Sequence, residues 1–131
     1  MNKFAIAIVD DSPLIRSYLR ILLECTDFEL VFEAENGDDC MHKIKNLQQL
    51  PHLVIMDIHM PVMNGYQTTV ALKAIWPSVK ILILSAEDSQ ESVNRSLALG
   101  ADYFVSKLAN VSEEIPQAIQ QLFNLYPFDE N

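Results

Sequence analysis

The sequence is poor in the features that mark several special classes of protein. Among its 131 residues are two cysteines, Cys25 and Cys40, too few for a disulfide framework, and we expect free thiols in a reducing compartment. No apolar run approaches the roughly 20 residues of a membrane span. The first apolar run, from Phe4 to Val9, is too short for a signal peptide. We therefore expect a cytoplasmic protein that does not enter a membrane.

Basic residues are also scarce. Nine Lys and Arg face eighteen Asp and Glu, which gives a formal charge of −9. Non-specific affinity for nucleic acid comes from basic side chains that release counterions from phosphates, so we expect no direct nucleic-acid binding by this domain. Hydrophobic residues make up 50% of the chain, which excludes disorder and suffices for a core. We expect one domain over residues 1–125, followed by a tail or the start of a linker at 126–131.

Short apolar runs alternate with segments of helical period, which is the pattern of repeated strand and helix units. Three of the runs are almost continuously apolar, as expected for parallel strands covered on both faces, whereas the second run alternates and suits a sheet edge. The predicted strands are residues 4–9, 28–33, 53–56, 81–84 and 103–105. This order predicts an α/β fold, a doubly wound five-stranded parallel sheet with five helices.

The segments between the runs carry helix signals. The first four helices are predicted to begin at Ser12-Pro13, Asn36-Gly37, Asn64-Gly65 and the capping-box variant Asp88-x-x-Glu91. In the last helix, Pro116 is expected to delay or distort the first turn. The side chains expected to face inward are Leu14, Ile15, Tyr18, Leu22 and Cys25 in the first helix, Val93 and Leu97 in the fourth, and Ile115, Ile119, Leu122 and Phe123 in the last.

Polar residues that can carry chemistry follow four of the runs. Ligands of open parallel sheets bind at the carboxyl ends of the strands, where this chain has Asp10, Asp11, Asp57, Ser85 and Lys107. Crowded carboxylates repel one another unless a cation lies among them, and oxygen ligands indicate a hard ion, most naturally Mg²⁺. Each residue alone has an ordinary explanation as a loop residue or a surface charge. Together, at four strand ends, they predict a functional site.

These residues lie in segments that resemble the receiver domains of two-component response regulators, over about residues 3–124. The segments are Val9-Asp10-Asp11-Ser12, Met56-Asp57-Ile58-His59-Met60-Pro61-Val62-Met63-Asn64-Gly65, Leu84-Ser85-Ala86 and Gly100-Ala101-Asp102-Tyr103-Phe104-Val105-Ser106-Lys107. The resemblance implies a flavodoxin-like (CheY-like) fold with strand order 2-1-3-4-5. It also implies that the chain accepts a phosphoryl group from a sensor histidine kinase or a phosphotransfer protein.

The same resemblance implies roles for the acidic residues. Asp57 would be the phosphoacceptor. Mg²⁺ would be bound by Asp11, Asp57 and the main-chain carbonyl of His59, with Asp10 acting mainly through water. The acyl phosphate formed on Asp57 is reactive, so the product would be a transient signal.

Further roles concern the phosphoryl group and the output. Ser85 would bond to the phosphoryl oxygens and Lys107 would pair with them. Phe104 stands where the family carries an aromatic residue whose rotamer follows phosphorylation, and it is equally well explained as a core aromatic. Glu87 and His59 stand where the family varies the lifetime of the phosphoryl group. The expected output surface is formed by the fourth helix, fifth strand and fifth helix, including Asn94 and Arg95, and would favour partner binding or a phosphorylation-dependent homodimer.

One position departs from the common family pattern. Many receivers have a proline after the lysine, with a cis bond before it, whereas this chain has Leu108. A non-proline cis bond costs about 3 kcal/mol, so a different arrangement of the loop is expected. Leu108 and the segment from Trp76 to Ser85 resemble receivers of LuxR/NarL-type transcription regulators. That likeness implies control of transcription through a DNA-binding domain outside these 131 residues.

Other functions stay open at this point. A stand-alone receiver in a phosphorelay or in motility control would carry the same motifs. A Mg²⁺-dependent phosphatase of the haloacid dehalogenase type also forms an aspartyl phosphate, but it has a second Asp where this chain has His59. A flavin carrier rests on fold analogy alone, and Asp10 and Asp11 would repel its phosphate. A receiver would not be a conventional enzyme, because it catalyses only its own phosphorylation and dephosphorylation.

Overall fold

Residues 4–123 are described by a computed structural model, in which five parallel strands are flanked by helices. The strands are β1 (Phe4–Val9), β2 (Phe28–Ala34), β3 (Leu53–Met56), β4 (Lys80–Ser85) and β5 (Tyr103–Ser106). The helices are α1 (Pro13–Glu24), α2 (Gly37–Lys45), α3 (Gly65–Ile75), α4 (Gln90–Ala98) and α5 (Val111–Phe123). The strand order β2-β1-β3-β4-β5 confirms the predicted fold and the edge position of the second strand.

The core lies on both faces of the sheet, because successive side chains of a strand point to opposite faces. In β1, Ile6 and Ile8 pack with α1 and α5, whereas Ala7 and Val9 pack with α2 and α3. All four side chains are fully buried. β3 is buried along its whole length, as predicted for a central strand. This double burial fixes the register of the strands and therefore the height at which each strand ends.

The inward face of α1 agrees with the prediction only in part. Ser12 caps the helix as expected, accepting a hydrogen bond from the Ile15 amide. Ile15 and Leu22 pack against the core as predicted, and the buried side chains are Leu19 and Leu23. Leu14 is 77% exposed, Tyr18 is 44% exposed and Cys25 is exposed, so these three do not face inward. The apolar face that packs on the sheet therefore keeps Ile15 and Leu22 from the predicted set and adds Leu19 and Leu23.

The start and the inward face of α4 also differ from the prediction. The cap is Ser89, which accepts from the Ser92 amide, because Asp88 is engaged by the Ser106 hydroxyl at 2.6 Å. The buried residues are Ser92 and Ser96, whereas Leu97 is 44% exposed. Small side chains let this helix lie close to the sheet, and its larger apolar residue is left on the outside.

The turn from α4 into β5 places the last strand. Gly100 has a φ of 122°, in the left-handed region, and the amides of Gly100 and Ala101 bond back to Leu97 and Ser96 in a Schellman arrangement. Asp102 then accepts from the Ile81 amide at 2.9 Å and pairs with Lys73 at 2.8 Å. These contacts tie β5 to β4 and so set the position of everything that follows β5.

The remaining helices begin close to the predicted residues. Asn36 and Asn64 cap α2 and α3, and Gln67 completes a capping box at the start of α3. α5 begins at Val111 and continues through Pro116, so the proline does not delay the helix. The predicted inward residues of α5 are confirmed as packed in the core: Ile115, Ile119, Leu122 and Phe123.

Both cysteines are free thiols, as predicted, with Cys25 exposed and Cys40 buried. Burial raises the pKa of the Cys40 thiol to about 12, so it is protonated at neutral pH. Within residues 4–123, every helix is too short or too polar to cross a bilayer. The predicted tail at 126–131 and the domain limit at 125 lie outside the described residues and stay predictions.

Thr69 provides a test of the packing of α3. Its hydroxyl is the one fully buried side-chain oxygen within residues 4–123 that has no hydrogen-bond partner, and such a group lowers stability. We expect Thr69→Val to raise the free energy of unfolding by about 1 kcal/mol. The matched control is Thr68→Val, which loses a 2.7 Å bond from the Thr68 hydroxyl to the Asn64 carbonyl and should be less stable than the wild type. Chemical denaturation measures both, and equal losses of stability would contradict the prediction.

Candidate functional site

The predicted site residues meet at the carboxyl ends of neighbouring strands. Asp10 follows β1, Asp57 follows β3, and Lys107 follows β5. The Lys107 ammonium lies 2.9 Å from Oδ2 of Asp10 and 3.2 Å from Oδ2 of Asp57. Asp10 is 2% exposed and Asp57 is 7% exposed, so these are buried charges that need partners. The fold therefore brings two carboxylates and one ammonium into contact from three separate strands.

Asp10 is held at each of its polar groups. Its amide donates to the Ala34 carbonyl at 3.0 Å, and its own carbonyl accepts from Nη1 of Arg16 at 2.7 Å. Its Oδ1 accepts from the Ser12 amide at 2.9 Å, while its Oδ2 pairs with Lys107. A carboxylate so occupied fits the predicted role through water better than direct ligation of a metal.

Asp11 completes a group of ligands suited to a hard cation. Carboxylate oxygens of Asp10, Asp11 and Asp57 all lie within 4.8 Å of one another. Asp11 is exposed, and its carboxylate accepts no hydrogen bond from residues 4–123, so it is available to a ligand from solvent. Three carboxylates and no sulfur fit Mg²⁺ by charge and ligand type. The ligand role of the His59 carbonyl stays a prediction.

Burial and neighbouring charge set the protonation of the two central groups. The pKa of Asp57 is raised, first by burial and then by the negative charge of Asp10, although Lys107 and the Ile58 amide oppose this shift. Burial alone would lower the pKa of Lys107, but hydrogen bonds and charge from Asp10 and Asp57 outweigh it and raise that pKa. Lys107 is therefore a firmly charged ammonium, while Asp57 is a carboxylate whose charge is only partly compensated.

Two residues at the start of α3 explain part of the motif after Asp57. Asn64 caps the helix, and the Gly65 amide donates to the Ile58 carbonyl at 2.7 Å. A Cβ at Gly65 would lie 2.2 Å from the Asp57 carbonyl oxygen, so only glycine fits. The helix is packed directly on the backbone that carries Asp57.

Ser85 ends β4 beside the acidic group. It is buried, its Oγ accepts from the Glu87 amide at 3.0 Å, and its carbonyl accepts from the Lys107 amide at 2.9 Å. Within the described chain its hydroxyl proton has no acceptor, which leaves it available to an incoming oxygen. Phe104 is half-buried against the core cluster that includes α2 and α3.

The loop after Lys107 is open to solvent. The Lys107–Leu108 bond is trans, like every peptide bond within residues 4–123, and Leu108 is 76% exposed. Next to Lys107 lies a groove of about 480 Å³ between α1 and the start of α5. Its lining is mostly apolar and includes Leu14, Tyr18 and Val111.

A chain of contacts across the mouth of the site was missed by sequence reasoning. Nε2 of His59 contacts the Glu87 carboxylate, which also accepts from the Ser92 hydroxyl of α4. Both bonds lower the pKa of Glu87, the Ser92 bond most. The sequence did carry a signal for this contact in its spacing. His59 stands two residues after Asp57, and Glu87 stands two residues after Ser85, at the ends of neighbouring strands. Nearby, the Arg95 guanidinium lies 4.0 Å from the ring centre of Tyr66, which links α4 to α3.

Comparison with known proteins identifies the family in which this arrangement of residues occurs. A family model described as the response regulator receiver domain matches residues 6–120. The chain belongs to the response regulator receiver domain family. It is therefore a receiver of two-component signalling, and its acidic group lies where receivers bind a metal ion.

Individual relatives agree with this assignment. The receiver is 36% identical to the transcriptional regulatory protein DegU of Brevibacillus brevis over 81% of this chain and 44% of DegU. It is 33% identical to the transcription regulator BvgA of Bordetella pertussis over 86% of this chain and 53% of BvgA. The chain thus spans about half the length of these regulators. The chemotaxis protein CheY of Thermotoga maritima is 35% identical over 78% of this chain and 83% of CheY.

Solved receiver structures superpose closely on this chain. The signal receiver domain of a NarL response regulator from Mycobacterium tuberculosis has a TM-score of 0.85 at 28% identity, covering 96% of this chain and 100% of that one. A chain of the CheX-CheY complex of Borrelia burgdorferi, solved with BeF3 and Mg²⁺, has a TM-score of 0.86 at 25% identity, covering 92% of this chain and 89% of that one.

Removal of the Asp57 charge tests the electrostatics of the site. Because the pKa of Asp57 is raised above its usual 3.8, the folded protein holds this proton more tightly than the unfolded chain does. Ionisation of Asp57 therefore lowers stability as the pH rises through 3.8 towards the folded-state pKa. We expect metal-free Asp57→Asn to melt at a higher temperature than the wild type at pH 7, and the difference to vanish below pH 3.8.

Thermal melts across this pH range make the measurement. The control is Asp27→Asn, an exposed carboxylate before β2 at the opposite end of the sheet, which should follow the wild type at each pH. A melting temperature of Asp57→Asn at or below that of the wild type at pH 7 would contradict the account.

Proposed function

We propose that this receiver takes a phosphoryl group onto Asp57 from a sensor histidine kinase or a phosphotransfer protein and thereby switches an output surface. The supporting observation is the position of Asp57, which directly follows the central strand and whose buried carboxylate contacts Lys107 beside two further aspartates. In the proposed site, Asp11, Asp57 and the His59 carbonyl bind Mg²⁺, and Asp10 acts through water.

The transfer needs positioning and charge compensation more than covalent help. An oxygen of Asp57 forms a bond to phosphorus as the bond from phosphorus to the donor nitrogen breaks. Lys107, already 3.2 Å from Asp57, pairs with the phosphoryl oxygens, and the Ser85 hydroxyl donates to one of them. Bound Mg²⁺ would supply the remaining positive charge. This receiver catalyses its own modification and is not a conventional enzyme.

A protein donor has an apolar surface available beside this chemistry. Leu14 and Tyr18 project from α1 into a groove that also reaches Lys107. Exposed apolar side chains next to a reactive centre are typical of protein-binding surfaces. We propose that the donor rests its phosphorylated element here, with its histidine directed at Asp57.

The proposed output is transcription, in a regulator of the LuxR/NarL type. The identity to DegU and BvgA, of which this chain spans about half, supports a receiver that acts through a DNA-binding domain outside the matched segment. The alternative is a stand-alone receiver in a phosphorelay or in motility control; its support is the likeness to Thermotoga maritima CheY, of which the match covers 83%. A Mg²⁺-dependent phosphatase is less favoured, because His59 replaces the second Asp of that family.

The location of the phosphoryl group is directly measurable. Incubation with acetyl phosphate and Mg²⁺ should add one phosphoryl group to the wild type, seen by intact-mass spectrometry, and none to Asp57→Asn. Asp27→Asn is the matched control and should be labelled like the wild type, because it removes a carboxylate far from the site. Full, acid-labile labelling of Asp57→Asn would refute the assignment, and steady turnover of small phosphoesters by the wild type would favour the phosphatase.

The proposed switch joins Ser85 to Phe104. A phosphoryl group on Asp57 would draw the Ser85 hydroxyl away from its present bond to the Glu87 amide and move the loop before α4. Phe104 lies opposite Ile83 in the β4–β5 ladder and is half-buried, so it could turn further inward. The surface of α4, β5 and α5, including Asn94 and Arg95, would then change and favour a partner or a second copy.

Beryllofluoride, a phosphoryl mimic, tests this switch. With Mg²⁺ it should shift the amide resonances of Phe104 and Arg95 as well as those of the metal site, and should promote self-association in sedimentation experiments. Ser85→Ala should bind the mimic but shift Phe104 less, because it cannot donate to the mimic. Changes confined to the metal site, with no dimer, would exclude the mechanism.

A further inference from the structure

Arg16 connects the acidic site to the edge of the sheet. Its Nη1 donates to the Asp10 carbonyl at 2.7 Å, and its Nε lies 3.3 Å from Oε1 of Glu33. The Arg16 side chain is only 20% exposed. A planar guanidinium with two fixed partners has little conformational freedom, so Arg16 forms a rigid link between Asp10 and β2.

Glu33, the partner of Arg16 on β2, is itself fixed. Arg20 binds Glu33 with two hydrogen bonds, of 2.7 Å and 3.0 Å, and Lys43 donates to the Glu33 carbonyl at 2.6 Å. The Arg20 bond is the largest cause of a lowered pKa of Glu33, so this carboxylate stays ionised at neutral pH. Arg16 is therefore held by a group that cannot easily rotate or lose its charge.

The bond from Arg16 to Asp10 has a consequence for Asp11. The Asp10 carbonyl belongs to the planar peptide that joins Asp10 to Asp11, so a fixed carbonyl also fixes the direction in which the chain enters Asp11. The Asp11 side chain has no hydrogen-bond partner within residues 4–123 and lies exposed. Its position relative to Asp57 therefore depends on its backbone. Of the contacts made by Asp10, the Arg16 bond is the one that acts on this peptide.

We propose that Arg16 is a positioning residue for Mg²⁺: by fixing the Asp10–Asp11 peptide, it holds the Asp11 carboxylate at the point where it shares a cation with Asp57. This inference rests on the proposed function, because it needs a metal ion between these carboxylates. Within residues 4–123, the polar contacts of the Arg16 side chain are with the Asp10 carbonyl and the Glu33 carboxylate, so its effect on the acidic group passes through the backbone.

The test compares Mg²⁺ affinity in the full chain by calorimetric titration, at a temperature where circular dichroism shows each variant to be folded. If Mg²⁺ binding loses the net free energy of one ordinary hydrogen bond, the dissociation constant for Mg²⁺ is expected to be about five- to tenfold higher in Arg16→Gln. The Asp11 amide resonance should move in metal-free Arg16→Gln, and labelling by acetyl phosphate should return to the wild-type rate at saturating Mg²⁺. A general loss of structure would instead shift amide resonances throughout the chain, and saturating Mg²⁺ would not restore the wild-type rate.

Arg20→Gln is the matched control, because it also removes an arginine from Glu33 but leaves the bond to Asp10. It should bind Mg²⁺ within about twofold of the wild type, even if its melting temperature falls. If Arg16→Gln does not fold, Arg16→Lys serves in its place, since lysine cannot reach both partners with the same planar geometry, and it should also bind Mg²⁺ more weakly than the wild type.

The outcomes separate the two levels of the proposal. A wild type that fails to bind Mg²⁺ overturns the proposed function. A wild type that binds Mg²⁺, together with an Arg16→Gln variant of equal affinity, overturns the role of Arg16 alone. Equal weakening in Arg16→Gln and Arg20→Gln would assign the effect to the Glu33 network and would likewise overturn the specific role of Arg16.

Discussion

The contact of one ammonium with two buried carboxylates is the interaction on which this site depends. Because β1 and β3 end side by side in the parallel sheet, Asp10 and Asp57 are forced together. Both are buried, so each charged carboxylate costs desolvation free energy. Lys107 offsets that repulsion from the end of β5, with its own position set by the bond of its amide to Ser85. The compensation is partial, since the pKa of Asp57 remains raised. A site whose negative charge is only partly compensated attracts a cation.

Much of the surrounding structure serves to hold these three side chains in place. Glycine at position 65 lets α3 lie against the Asp57 backbone. Asp102 bonds β5 to β4, which places Lys107 within contact distance of Asp10 and Asp57. The polar contacts around the site differ in kind. Among the residues that the structure describes, Asp10 is bound at each of its polar groups, whereas the Asp11 carboxylate and the Ser85 hydroxyl proton have no partner. Rigid groups therefore define the geometry, and the free groups are those that a metal ion or phosphoryl group would engage.

The contacts across the mouth of the site connect it to the helices that could carry a signal away. Glu87 touches His59 on one side and Ser92 of α4 on the other, so a displacement of the loop after β4 is felt at the start of α4. Arg95 rests on Tyr66 and joins the same helix to α3. α4 packs on the sheet through two serines, which gives it less apolar contact than its neighbours. A helix with few apolar contacts is held weakly on the sheet, and such a helix is suited to move between two positions.

By itself, the sequence determined the alternation of strands and helices, the capping of α1, α2 and α3, and the gathering of Asp10, Asp57 and Lys107, because alternating patterns, cap residues and strand ends are local signals. The strand order was implied by the resemblance to receiver domains and is confirmed by the fold. Tertiary structure alone decided which stripe of α1 faces inward, since Leu14 and Leu19 are equally apolar and only the fit against the sheet distinguishes their faces. It also moved the cap of α4 from Asp88 to Ser89, because Ser106 of a neighbouring strand engages Asp88. The pairings of Glu87 with His59 and of Arg16 with the Asp10 carbonyl were also decided by tertiary structure. They join residues from different elements, and such contacts exist only after the sheet has brought those elements together.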